Sequence, residues 1–263
     1  MNAFRHAETV MGTVVSFELR SERADAGAAG SAAEAVAEAV TWLHWVDETF
    51  STYKTTSEIS RLDAGELTIE DCHPEVRHIL SVCEELRRDT AGYFDARAGG
   101  RLDPSGVVKG WSIEGASEIL VALGWPDHLV DGGGDVRVHG RPGQPGGWRL
   151  GITHPFRRDA LCAVVHLDEG AVATSGTYER GLHVIDPHRR RPATDLSAVT
   201  VVGPELVRTD AYATAALAMG ITAAAWLTSL DGYEGLVIDA VGRPVETPGF
   251  ANYRVETRVA SSA

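Results

Sequence analysis

The chain has 263 residues, 44% of them hydrophobic and 23% charged, enough to bury a substantial core in one large domain or two fused lobes. Its formal net charge of -13 repels a phosphate backbone, and the basic run Arg189, Arg190, Arg191 is too short to offset that locally, so no nucleic-acid partner is expected. The three cysteines, Cys72, Cys83 and Cys162, are irregularly spaced and argue against a disulfide framework, and Cys72 beside His73 finds no second pair to complete a zinc site.

The opening 20 residues lack the charged start and unbroken apolar run of an export signal, and no later segment reads as a membrane span; a cytoplasmic protein without a membrane segment is expected. A first strand is predicted over 12–19, then a small, polar connector over 21–30. Over 31–50, Val36, Val40, Leu43 and Val46 recur at helical spacing along one face. Thr55 with Glu58 three residues later resembles a capping box for a short helix through Ile59 and Leu62. Pro74 suits the first turn of a third helix that buries Val76, Ile79, Leu80, Cys83 and Leu86.

From Leu129 onward short apolar runs over 136–138, 148–152, 162–167 and 199–202 alternate with Gly and Pro turns and read as strands. Residues 141–147 are predicted to form a hairpin tip between neighbouring strands. An Ala-rich helix is predicted from Thr209 or Asp210 to Gly220, a further helical stretch to Leu230, and a closing strand over 236–239. Helices and strands mix without a strand-helix-strand rhythm, and several strand pairs have connections too short for a crossover, which favours an α+β fold with largely antiparallel sheets over residues 1–263 as a single domain. Neither a Rossmann fingerprint nor a P-loop is present.

Four segments carry candidate chemistry. Residues 102–110 place Asp103, a turn at Gly106 and Lys109 just before a helical pattern containing Trp111, Ile113, Ala116 and Ile119; backbone N–H groups at a helix start and an ammonium both suit an anionic ligand, and a capped turn with a solvated lysine is an equal alternative. Asp131-Gly132-Gly133-Gly134-Asp135 reads first as a tight hairpin and second as backbone approaching a ligand. Residues 173–180 form a polar turn leading to a strand-like segment with His183 near its start; its ordinary pKa suits a general base with Asp186 as candidate orienter, and a lone strand histidine is more often only a satisfied polar residue. Asp210 and Thr214, four apart on a helix, turn two hard oxygens to one face, where they can hold Mg²⁺ or serve only as a cap and a surface hydroxyl.

The order of these signals is more specific than any one of them: Met11-Gly12-Thr13, Phe50-Ser51-Thr52-Tyr53 with Ser57-Glu58, Gly92-Tyr93-Phe94-Asp95, the 103–110 segment, the glycine run, Thr174-Ser175-Gly176, His183 to Pro187, and Asp210 with Thr214. The series, from about residue 11 to residue 220, resembles the ApbE family of FAD:protein FMN transferases. The resemblance implies a T-fold-related α+β architecture with a flavin cleft. It implies an FAD pocket built by Met11, Tyr53, Tyr93, Phe94 and Asp95, with Asp103, Lys109 and Val184 also touching the dinucleotide. It assigns Mg²⁺ to the side chains of Asp210 and Thr214 and the backbone carbonyl of Gly106. The implied activity is transfer of FMN from FAD onto a Ser or Thr hydroxyl in a short motif of an acceptor flavoprotein, releasing AMP. The same residues would also serve an FAD pyrophosphatase using water, and the pocket alone would serve a non-catalytic FAD-binding protein.

Overall fold

A two-residue turn sets the first supersecondary unit. Met11 and Gly12 have φ of 53° and 71°, the paired left-handed conformations whose twist matches that of adjoining strands. They join β1 (Asn2–Val10) to β2 (Thr13–Ser21), with Asn2 opposite Ser21 and Val10 opposite Thr13. The sequence reading began its first strand at Gly12 and missed β1, whose side chains alternate between exposed and half-buried and so carry little hydrophobic signal. The structure is a computed structural model that describes residues 2–21, 31–143, 147–177 and 184–255. Most of the 21–30 connector lies outside the described residues.

The remaining strands are β3 (His128–Gly132), β4 (Val136–His139), β5 (Trp148–His154), β6 (Arg157–Leu167), β7 (Gly170–Gly176), β8 (Ile185–Asp186), β9 (Arg191–Pro192), β10 (Leu196–Gly203), β11 (Glu234–Asp239) and β12 (Pro244–Glu246). Eight of them form one sheet in the order β1-β2-β3-β4-β7-β10-β11-β12, antiparallel at every pairing. β5 and β6 make a separate hairpin, and β8 and β9 a short ribbon.

The helices are α1 (Ala32–Phe50), α2 (Glu58–Asp63), α3 (Pro74–Asp89), α4 (Ser105–Ala122), α5 (Leu206–Met219) and α6 (Ala223–Thr228). Ser31 starts α1 with a reciprocal capping box to Glu34. The short α2 is capped by Ser57, whose hydroxyl accepts from Ser60 N at 3.0 Å, and not through Thr55; the Glu58 carboxylate instead accepts from His73 N at 2.7 Å, just ahead of α3.

Strand alternation divides the core between the two faces of the sheet. On β10, Val199 and Val201 join Ala171 and Ala173 of β7 beneath the helices, while Ala198 and Val202 face a second cluster with Trp148, Ile152, Val165 and Phe250. Side chains of this size contribute about 1.5–3 kcal/mol each when fully buried. The protein is therefore three layers: helices, the eight-stranded sheet, and the β5–β6 hairpin covering its other face.

Several expectations are corrected. Residues 141–147 lead from β4 in the large sheet to β5 in the separate hairpin, so they are not a hairpin tip; residues 144–146 lie outside the described set. Residues 173–176 belong to β7, in the interior of the sheet, and not to a polar turn. β11 is followed by β12 and does not close the fold. α5 starts at Leu206, because Leu206 is fully buried there, three residues before the expected start. The helical stretch Leu206–Thr228 is also long and apolar enough, by composition, to cross a membrane. It is interrupted at Gly220, with φ of 67°, and 61% of its most apolar 18-residue window is buried inside the fold.

Candidate functional site

The end of the sheet at the β3–β4 turn gathers most of the charged and hydroxyl groups singled out in the sequence. The glycine run is a hairpin turn closed by Gly132 N donating to Asp135 O at 2.9 Å, with Gly133 and Gly134 at φ of 73° and 95°. The turn is also pressed against its surroundings. A Cβ on Gly132 would stand 2.5 Å from Ile113 Cδ1 of α4, and one on Gly133 would stand 2.7 Å from Thr13 Oγ1. The hairpin reading of the run therefore holds, and the neighbours its backbone approaches closely are side chains of the protein itself.

Asp135 is 1% exposed, and its carboxylate ties three elements together. One oxygen accepts from Thr174 N of β7 at 3.1 Å; the other pairs with the Lys109 ammonium from the second turn of α4. Asp131, across the turn, accepts from Gly134 N at 2.8 Å. Burial, reinforced by the nearby Asp135 charge, pushes its carboxyl above the usual range, against the opposing pull of Gly134 N–H and Lys109.

A second strand of contacts leads from β7 to α5. Ser175 Oγ lies 3.1 Å from Thr214 Oγ1, and Thr174 Oγ1 lies 2.8 Å from Thr200 Oγ1. Asp210, one turn before Thr214, is 3% exposed. The two helices that carry Lys109 and Asp210 meet backbone to backbone, because a Cβ on Gly110 would stand 2.8 Å from Leu206 O. Gly106 lies one turn before Gly110, and Asp210 one turn after Leu206. A Cβ on Gly106 would come within 3.1 Å of the Phe94 ring, so Phe94, itself buried, packs against the first turn of α4. Asp103 is exposed just before that helix, where its carboxylate accepts from Ser105 N at 3.0 Å.

The donor set fits a hard cation. Asp210, Thr214 and the Gly106 carbonyl offer oxygen only, and Mg²⁺ needs few protein ligands where phosphates and water complete its shell. Among the described residues no group of three or more His, Cys, Asp or Glu side chains is placed to hold a metal.

Tyr93 and Asp186 share a second neighbourhood through His188. Tyr93 stacks edge-on against His188 with centroids 4.5 Å apart, and His188 Nε2 meets Ala91 O at 3.0 Å. Asp186, 4% exposed, accepts from His188 N and Arg189 N at 2.9 and 3.0 Å, and its other oxygen faces the Arg189 guanidinium at 3.6 Å. Val184 is buried beside it, its carbonyl accepting from Ala193 N at 2.9 Å. Asp95, partly buried, caps Arg97 N at 2.8 Å. Met11 sits half-buried in its hairpin turn, and Tyr53 projects into solvent, 95% exposed. His183 lies outside the described residues. Sequence reasoning placed Thr174 and Ser175 in the family resemblance but gave them no role, because their small polar run reads as a turn, and it weighed Asp135 only as a flank of the glycine run.

An antiparallel α+β fold with a cluster of carboxylate, hydroxyl and ammonium groups at one end of its sheet defines the class. The ApbE family model matches residues 11–100 and 96–237, and the chain belongs to that family. It is 30% identical over 131 residues to the FAD:protein FMN transferase of Vibrio cholerae, 45% of this chain and 39% of that one. To the protein of the same name from Escherichia coli K12 it is 28% identical over 170 residues, 60% and 48% of the respective chains. The matched stretches thus span less than half the length of these relatives. The solved ApbE protein of Thermotoga maritima superposes with a TM-score of 0.85 at 18% identity, covering 97% of this chain and all of that one. The flavin transferase ApbE of Vibrio cholerae superposes at 0.81 with 20% identity, covering 96% and 100%.

Proposed function

We propose that this chain transfers the FMN half of FAD to a Ser or Thr hydroxyl of an acceptor flavoprotein and releases AMP. The observation that carries the reading is the convergence of Lys109, Asp135, Ser175, Thr214 and the buried Asp210 on one end of the sheet, in a chain of the ApbE family. The names of the relatives support it, since those proteins are FAD:protein FMN transferases.

In this reading the acceptor oxygen attacks the flavin-side phosphorus of FAD. A new P–O bond forms to the acceptor, the bond to the bridging oxygen breaks, and AMP leaves with its electron pair. The hydroxyl proton passes to a base, for which His183 is the candidate, with Asp186, three residues on, as its candidate orienter. Bound Mg²⁺ would neutralise charge building on the pyrophosphate. Asp210, Thr214 and the Gly106 carbonyl would hold the cation, and Lys109, anchored by Asp135, would add positive charge for the pyrophosphate. Met11, Tyr53, Tyr93, Phe94, Asp95, Asp103 and Val184 are assigned to binding the dinucleotide.

Incubating the protein with FAD, Mg²⁺ and an acceptor carrying a Ser/Thr flavinylation motif tests the reading, followed by AMP release and acceptor mass. An FMN-sized mass gain abolished by EDTA supports transfer. AMP and free FMN without labelling would replace it with a pyrophosphatase, and intact FAD with every acceptor would leave a binding protein.

A further inference from the structure

We infer that Glu114 is a positioning residue that fixes the register of α5 against α4, and so the geometry of the cation-binding oxygens, without touching substrate or cation itself. The inference rests on the magnesium part of the proposed function.

α5 begins without a side-chain cap of its own: its N-cap is Glu205, whose carboxylate pairs with the Arg208 guanidinium at 3.0 Å and caps no backbone N–H of the first turn. The free N–H groups of a helix start need an acceptor, and the helix dipole favours a negative one. Here the acceptor comes from another helix. Glu114 Oε2 accepts from Leu206 N at 2.7 Å, 92 residues away in sequence. The second oxygen of the same carboxylate accepts from Arg137 Nε at 2.7 Å, and Arg137, 7% exposed, also donates to Val138 O at 3.0 Å. Arg137 stands on β4 two residues after Asp135, the carboxylate that holds Lys109.

One carboxylate therefore joins the three elements that carry the site: α4 with Gly106 and Lys109, the start of β4 with Asp135, and α5 with Asp210 and Thr214. It does so one turn beyond Gly110, where α4 and α5 already touch backbone to backbone. From that pivot Gly106 lies one turn away on α4, and Asp210 and Thr214 lie one and two turns away on α5. Mg²⁺ requires near-ideal octahedral geometry at about 2.0–2.1 Å, so a small slip of α5 along α4 weakens its binding while leaving the fold and the remainder of the pocket in place.

The test is a Mg²⁺ titration of FAD affinity, read by flavin fluorescence, in the wild type, Glu114→Gln and Glu114→Asp. Glutamine keeps the shape but offers one acceptor to two donors; aspartate keeps charge and both acceptors but shortens the bridge by one methylene. Both variants are expected to keep the wild-type circular dichroism and the wild-type FAD affinity in EDTA, while requiring about tenfold more Mg²⁺ for half-effect, the scale typical of residues that orient metal ligands. Turnover is expected to recover at high Mg²⁺. Glu169→Gln, which alters only an exposed partner of Arg137 at 3.6 Å, serves as the unshifted control. Unchanged Mg²⁺ dependence in folded variants overturns the inference, as does failure of both variants to fold, which would make Glu114 a structural clamp only. A wild type whose FAD affinity ignores Mg²⁺ overturns the metal reading itself.

Discussion

The Lys109 ammonium and the Asp135 carboxylate balance each other where the site meets the sheet, and that balance separates stability from catalysis at the level of single residues. Asp135 is 1% exposed and Lys109 partly so. Removing one partner of such a pair leaves a buried charge and costs about 3–5 kcal/mol, whereas removing both charges together costs far less. Lys109→Gln is accordingly expected to lower stability by about 3 kcal/mol in urea unfolding and to slow FMN transfer by about 100-fold. The double variant Lys109→Gln with Asp135→Asn is expected to regain most of the stability and none of the turnover. A double variant that recovered activity would show that Lys109 serves only to satisfy Asp135. The sequence singled out this lysine as lying past a glycine turn just before a helix, with a solvated side chain as an equal alternative; α4 in fact begins at Ser105, so Gly106 is helical and Lys109 sits in the second turn, paired with Asp135. Its partner was less legible, since Asp135 looks like any aspartate beside a turn until the fold brings Thr174 N and Lys109 to it. Ser175 was placed within the family series but given no role, because its neighbours read as a turn and its contact with Thr214 comes only from the fold.

Among the elements, the crossing of α4 and α5 sets local propensity against packing. Glycine inside a helix costs about 1 kcal/mol relative to alanine, so by propensity alone Gly110→Ala would stabilise the protein. The added Cβ would stand 2.8 Å from Leu206 O, 3.1 Å from Leu206 C and 3.2 Å from Val207 Cα, all backbone atoms that cannot rotate away. Overpacking of this kind costs about 1–3 kcal/mol, and here it outweighs the propensity gain. Urea unfolding of Gly110→Ala is expected to show a net loss of stability, accompanied by weaker Mg²⁺ dependence as the helices part; a gain would mean that the helices separate at no cost. Elements with strong periodicity, α1 and α3 among them, were readable because their apolar faces coincide with the core they meet. β1 and β7 were not, one for its polar alternation at the edge of the sheet and the other for its small residues at the centre. The connection over 141–147 was misread because turn chemistry specifies a reversal or a bend locally, while the choice of sheet for the next strand is made by Trp148 and its neighbours in the second core.

For the whole molecule, acid sensitivity follows from a group far from the proposed chemistry. His128 is fully buried between α4 and β3. Its Nδ1 lies 2.7 Å from Trp125 O, a bond the ring must donate, so its Nε2 is left to accept from Ser117 Oγ at 2.7 Å. Burial holds its pKa down at about 4 against an ordinary 6.5, the nearby His139 and Arg137 charges adding to the effect. The native state therefore keeps the ring neutral while the unfolded chain takes up a proton as pH drops below 6.5. Stability from this group is complete above that value and falls by about 1.4 kcal/mol per pH unit toward pH 4, on the order of 3 kcal/mol in all. The carboxylates held below their ordinary range, Glu18 and Asp63 among them, lose their contribution only as the pH falls further, and the raised carboxyl of Asp131 acts with opposite sign. Comparing wild type with His128→Gln cancels these shared contributions. Urea unfolding at pH 7.5, 6.0 and 5.0 is expected to show the wild type losing its advantage over the variant as the pH falls, because glutamine can satisfy Ser117 and Trp125 without binding a proton. Parallel losses in the two proteins would mean that His128 does not govern the acid response, and that carboxylate protonation across this acidic chain does.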